Sequence, residues 1–124
     1  FNGNTGPFIQ YTYARIRSIV RKAGESGGET LDGVQMNEKE RMVVKALHSM
    51  PETIRQAAVA YSPAMVANYA YDLAKAFNSF YQDTPILKET DPKVKHFRVT
   101  LCAMVATALK NTMAILGIEV PERM

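Results

Sequence analysis

Apolar residues recur at helical spacing along most of the chain, and no stretch alternates with period two. Ile9, Thr12, Ile16, Ile19, Val20 and Ala23 fall on one arc. They predict a helix capped by Thr5-Gly6, with Pro7 as its first residue, where no backbone donor is required. Gln10, Arg17 and Arg21 flank that arc on one side, and Tyr11, Arg15 and Lys22 on the other. Gly24 to Glu29 breaks the pattern as a mobile loop, and Leu31 to Met36 is an aperiodic connector. Asn37-Glu38-Lys39-Glu40 has the spacing of a capping box and opens a helix to about His48, with Met42, Val43, Ala46 and Leu47 inward. Ser49-Met50-Pro51-Glu52 repeats the spacing before a short helix with Ile54, Ala57 and Ala58 inward.

Ser62-Pro63 opens a longer helix to about Gln82, with Val66, Tyr69, Leu73, Ala76, Phe77 and Phe80 inward and Asn68, Asp72, Lys75 and Ser79 wet. Thr84 to Leu87 leaves it as an extended segment. Asp91-Pro92 caps the last helix. Its inward stripe takes Val94, Phe97, Leu101, Met104, Val105, Ala108, Leu109, Thr112, Ile115 and Leu116, and Gly117 ends it in a left-handed turn. The tail from Ile118 to Met124 should lie against the bundle. The predicted fold is all-α: a single domain over residues 1–124, a bundle of about five helices.

Composition narrows the function by exclusion. No apolar run reaches the roughly 18–20 residues of a membrane span. The opening Phe-Asn-Gly-Asn is no signal peptide and lacks a start methionine, so the segment reads as part of a longer protein. Cys102 is the only cysteine and sits in an apolar run, which makes it a buried residue and fits a reducing cytoplasm. His48 and His96 show no metal-ligand spacing with Cys, Asp or Glu, and His96 reads as a solvated surface residue. The glycines from Gly24 to Gly28 lack the Lys-Ser/Thr of a phosphate loop. No catalytic or metal site is therefore expected. The net charge of +3 permits an anionic partner, and the placement of the cations matters more than their sum.

Three blocks carry a family resemblance. Gly3-Asn4-Thr5-Gly6-Pro7-Phe8-Ile9-Gln10-Tyr11, followed by Ala14-Arg15-Ile16-Arg17-Ser18-Ile19, resembles the opening of the C-terminal anticodon-binding domain of arginyl-tRNA synthetase, of the DALR type. Phe8 and Thr12-Tyr13 depart from the family's Gly-Pro-Tyr and Tyr-Ala-His. Tyr71 to Tyr81 is similar to the family's central helix, and Leu116 to Met124 to its closing Pro-x-x-Met. The resemblance implies a parent class I enzyme, an arginine–tRNA ligase, that uses ATP with magnesium. The His-Ile-Gly-His and Lys-Met-Ser-Lys-Ser motifs of such an enzyme are absent and would lie upstream. This piece would supply recognition and hold no cofactor. Its implied partners are the anticodon loop of arginine tRNA and the catalytic domain of the same chain, with neither membrane nor DNA.

Recognition of unpaired bases needs cations for phosphates, flat surfaces for stacking and a few polar groups for base edges. The first helix offers Tyr11, Tyr13, Arg15, Arg17 and Arg21, and the central helix Phe77, Asn78 and Tyr81. Arginines on a helix flank are ordinarily solvated or paired with carboxylates, Phe77 lies on an inward stripe, and Tyr11 fits the rim of a bundle. The resemblance moves these residues toward the anticodon. Arg21, Tyr11, Phe77 and Met124 match family positions there. Phe77 stands where some members carry a tyrosine, so it can stack but donates no hydrogen bond. A carboxylate on Met124 would need a cation, with Arg21 and Arg123 as candidates. The rival class is a helical structural or interaction domain, which calls for an uncharged apolar patch on the face where RNA binding calls for cations and rings.

Overall fold

The computed structural model describes residues 5–24 and 33–124. Among them are five helices and no strand: α1 (Thr5–Ala23), α2 (Glu38–His48), α3 (Met50–Val59), α4 (Pro63–Asp83) and α5 (Pro92–Ile115). The expected mobile loop after Gly24 and the first two residues of the connector, Leu31 and Asp32, lie outside the described residues. So does any cap of α1, which already begins at Thr5, leaving Pro7 within a first turn whose donors need no helical partner.

Local chemistry sets the other boundaries. The Asn37 side chain accepts the Glu40 N–H at 2.8 Å, and the Glu40 carboxylate accepts the Asn37 N–H at 2.9 Å, a complete capping box. Ser62 caps α4 by accepting the Met65 N–H, and Asp91 caps α5 by accepting those of Lys93 and Val94. Gly117, at φ +76°, closes α5: Ile118 N–H donates to Met113 and Gly117 N–H to Ala114, both at 2.9 Å. Ser49 departs from expectation. It is helical, at φ −78° and ψ −8°, because it also ends α2, and its hydroxyl donates backward to Ala46. An N-cap needs extended backbone, which Ser49 cannot adopt between two abutting helices.

α4 packs against each of the other helices, and α1 and α5 close over it. The core joins Leu73, Phe77 and Phe80 of α4 to Ile9 and Ile16 of α1 and Val105, Leu109 and Met113 of α5, all fully buried. Four residues expected inward on the outer helices are not. Met42, Met104 and Ile115 are about half exposed, and Ala58 is exposed as well. α5 is apolar nearly all round, so periodicity alone cannot choose its buried face. Contact with α1 and α4 chooses Cys102, Ala106 and Met113. Cys102 is fully buried, and burial pushes its thiol up to about 12. His96 is half-buried rather than solvated.

One buried ionic junction positions the segment that leaves α4. Glu40 is 1% exposed and its second oxygen accepts Arg98 Nε at 3.1 Å. Arg98 also donates to Pro85 O at 2.8 Å and to Glu89 Oε1 at 2.9 Å. The capping box of α2, the second turn of α5 and the 85–89 segment are thereby fixed to one guanidinium. Replacing Arg98 by alanine leaves the Glu40 charge buried without its partner. We expect a loss of about 3 kcal/mol in urea-unfolding stability. Cys102 in the folded chain should resist alkylation at pH 8 and react only at the rate of unfolding, as mass spectrometry over time would show.

Candidate nucleic-acid interface

The segment held by Arg98 forms one wall of an open groove of about 910 Å³. α1 and the end of α4 supply the other walls, and Arg123 and Met124 of the tail reach its edge. Tyr11 and Arg15 face the groove from α1 because they share a flank of the helix whose apolar arc packs inward.

At its centre the Arg15 guanidinium lies over two rings, 5.1 Å from the centroid of Tyr11 and 4.8 Å from that of Tyr81. Asn78 Oδ1 accepts from Arg15 at 2.7 Å. Both amide hydrogens of Asn78 are also used, one to Thr12 Oγ1 and one to Ala74 O, each at 2.9 Å. Thr12 in turn donates to Phe8 O at 2.9 Å. This polar chain crosses the α1–α4 seam and fixes Arg15 from behind, while Tyr11 stays 51% exposed and Tyr81 39% exposed.

Charge in the groove is mostly positive. Arg15, Arg21, Lys22, Lys88 and Arg123 line it against one carboxylate, Asp83, which Lys39 meets at 3.6 Å. Among the described residues, no carboxylate pairs with Arg15, Lys22, Lys88 or Arg123. The opposite flank of α1 is occupied by the tail. Gln10 Nε2 donates to Glu119 O at 3.2 Å, and Arg17 Nε meets Glu122 Oε2 at 3.0 Å. Arg21 NH1 donates to Glu122 O at 3.3 Å and lies 3.9 Å from its carboxylate. The tail lies against the bundle as expected.

Of the eight residues singled out from the sequence, Tyr11, Arg15, Arg21, Tyr81 and Met124 line the groove. Three do not. Phe77 is fully buried with its ring against Tyr81, centroids 6.1 Å apart and planes 21° apart, so it backs a groove ring and offers no face to a base. Asn78 spends its amide on Arg15 and the α1–α4 seam, and Arg17 is turned to Glu122. Tyr13, also named on α1, is 3% exposed, and its hydroxyl donates to Glu122 Oε1 at 3.2 Å. Arg21 serves the Glu122 carbonyl rather than a chain-terminal carboxylate. The sequence reading missed Lys88 and the 84–87 wall, although a segment leaving α4 three residues after Tyr81 has to pass beside that ring. It also passed over Glu122, whose partners lie about a hundred residues away.

Two further features bear on chemistry. The Thr84 hydroxyl is buried in the groove wall with no hydrogen-bond partner among the described residues. No group of three or more His, Cys, Asp or Glu side chains among those residues is placed to hold a metal.

Residues 9–124 match the model of the DALR anticodon binding domain, and the chain belongs to that family. Its relatives include the arginine–tRNA ligase of Parabacteroides distasonis, 52% identical over 128 aligned positions that take in all of this chain and 21% of that protein. The arginine–tRNA ligase of Flavobacterium psychrophilum is also 52% identical, again over the whole chain and 20% of its own length. The chain thus spans about one fifth of the length of these relatives. Among solved structures, Thermus thermophilus arginyl-tRNA synthetase superposes with a TM-score of 0.89 at 34% identity, over 100% of this chain and 22% of that one. A putative arginyl-tRNA synthetase from Campylobacter jejuni shares the fold at 22% identity, with a TM-score of 0.85 over 98% of this chain and 27% of that one.

Two substitutions, one behind the groove and one in its wall, should move stability in opposite directions in urea unfolding. Asn78→Ala removes the seam's central amide and should cost about 2 kcal/mol, whereas Thr84→Val removes an unpaired buried hydroxyl and should add about 1 kcal/mol. Acid should release the tail. Burial raises the Glu122 pKa, but bonds from Arg17 and Tyr13 and the charges of Arg17 and Lys110 outweigh it, so the net shift is below the ordinary 4.5. A carboxyl lowered in the folded state stabilises above its unfolded pKa and loses that contribution as pH falls through the folded one. Backbone chemical shifts of residues 119–124 should therefore move toward random-coil values below about pH 4.5, with those of α4 unmoved.

Proposed function

We propose that residues 1–124 form the C-terminal anticodon-binding domain of an arginine–tRNA ligase and that the groove receives the anticodon loop of arginine tRNA. The parent enzyme on this reading is a cytoplasmic ligase that joins arginine to its tRNA with ATP and magnesium, and its catalytic domain belongs to the same chain. No helix among the described residues is long and apolar enough to cross a membrane.

One observation carries the reading: the groove unites stacking rings with Arg15, Lys22, Lys88 and Arg123, cations that no carboxylate among the described residues neutralises. Lys22, Lys88 and Arg123 suit the phosphates of a bent loop, which set register without reading sequence. The exposed parts of Tyr11 and Tyr81 suit the faces of unstacked bases. Met124, 71% exposed at the groove edge, brings a flexible thioether that packs on a flat ring. Arginine anticodons share a middle cytosine, the base such a site has reason to select. A domain that only packs on protein would instead present an uncharged apolar patch here, and five cations line the groove.

The test is a titration of the chain with anticodon stem-loops of arginine tRNA, carrying the middle cytosine or a guanine, at two salt concentrations. The cytosine form should bind more tightly at both. Tyr11→Ala should weaken it by about tenfold, the loss expected from one stacked base. Equal binding of the two forms would remove base reading from this groove, and no binding at low salt would favour the protein-packing reading.

A further inference from the structure

With cations assigned to the groove, the residue without a role in RNA contact is an anion. Glu122 sits beside two arginines of α1, within 3.0 Å of Arg17 and 3.9 Å of Arg21, and accepts from the Tyr13 hydroxyl. An anion beside an RNA site lowers affinity for phosphate, so its placement among cations calls for a reason. Two consequences follow from the contacts. The carboxylate offsets the charge of Arg17 and Arg21 on the flank of α1 next to the groove. It also ties down the tail one and two residues before Arg123 and Met124, where the other polar ties from the tail to α1 among the described residues are the Gln10–Glu119 bond and the bond from Arg21 to the Glu122 backbone carbonyl.

We propose that Glu122 is a specificity-determining residue: it withholds Arg17 and Arg21 from RNA phosphates and pins the tail so that Met124 meets the base at a fixed position. The proposal rests on the anticodon reading above. Phosphate contacts raise affinity for every RNA equally, so two unmasked arginines would add sequence-independent binding. A tail released from α1 would let Met124 wander from the groove edge, and a contact made by a mobile group discriminates poorly. Glu122 thus lowers overall affinity while raising the difference between right and wrong bases. Tyr13 supports it from the core, where its ring is fixed and its hydroxyl meets the carboxylate. The lowered pKa of Glu122 keeps that carboxylate charged at neutral pH.

Glu122→Gln tests this, because glutamine keeps the length and removes the charge. Glu122 is exposed, so the helices should be retained, as circular dichroism would verify. The variant and the unaltered chain are titrated with poly(U) from about 50 to 200 mM salt and with the two stem-loops. E122Q should bind poly(U) more tightly at low salt, with a log–log salt slope steeper by about 0.7 to 1.4, the effect of one or two more phosphates on a single strand. Its preference for the cytosine stem-loop should fall toward unity. Changing Arg17 and Arg21 to glutamine in the E122Q background should abolish the steepening. An unchanged poly(U) slope, steepening that survives the loss of both arginines, or an undiminished cytosine preference would overturn the proposal. If the unaltered chain shows no base preference, the anticodon reading fails by itself, and the poly(U) slopes still decide whether Glu122 masks the two arginines.

Discussion

The guanidinium of Arg15 has almost no freedom, and much of the groove follows from that restraint. Asn78 grips it from α4, Thr12 grips Asn78 from α1, and Tyr11 and Tyr81 lie under its charge. A partly buried amide with every hydrogen in use tolerates little change in the spacing of the two helices. The apolar contacts of Ile9, Ile16, Leu73 and Phe77 bring α1 and α4 together, but non-directional burial leaves their registry loose. The hydrogen bonds select one registry, and in it a cation is presented between two rings at the surface.

The two polar flanks of α1 have divided roles. One carries Tyr11, Arg15 and Lys22 into the groove, and the other carries Gln10, Arg17 and Arg21 against the tail. Arg21 takes part in both, since it lines the groove while bonding Glu122. The opposite groove wall depends on a different device, the part-buried Arg98 that ties Pro85 and Glu89 to the capping box of α2. The groove is thus assembled from three segments, each held by a polar junction set behind it.

Much of this was legible in the sequence, and the reasons are local. Caps at Asn37, Ser62 and Asp91 and the left-handed Gly117 are encoded within a few residues, so the helix boundaries followed. The split of α1 into flanks followed from its periodicity. Burial faces on α5 did not, because Met104 and Cys102 are both apolar and only packing distinguishes them. Site roles failed where a partner is distant in sequence. Nothing near Asn78 marks it as the support of Arg15, and nothing near Arg17 announces Glu122. Phe77 was assigned by analogy to an exposed role, and its complete burial makes it the backing of Tyr81 instead.

On the proposed reading, RNA enters the groove between α1, the 84–88 segment and the tail. The most direct measurement is an amide chemical-shift map of the chain on addition of the arginine-tRNA anticodon stem-loop. The account predicts perturbations concentrated at residues 11–22, 81–88 and 122–124, with α2 and α3 unmoved. Perturbations centred on α2 and α3, with the groove residues silent, would contradict it.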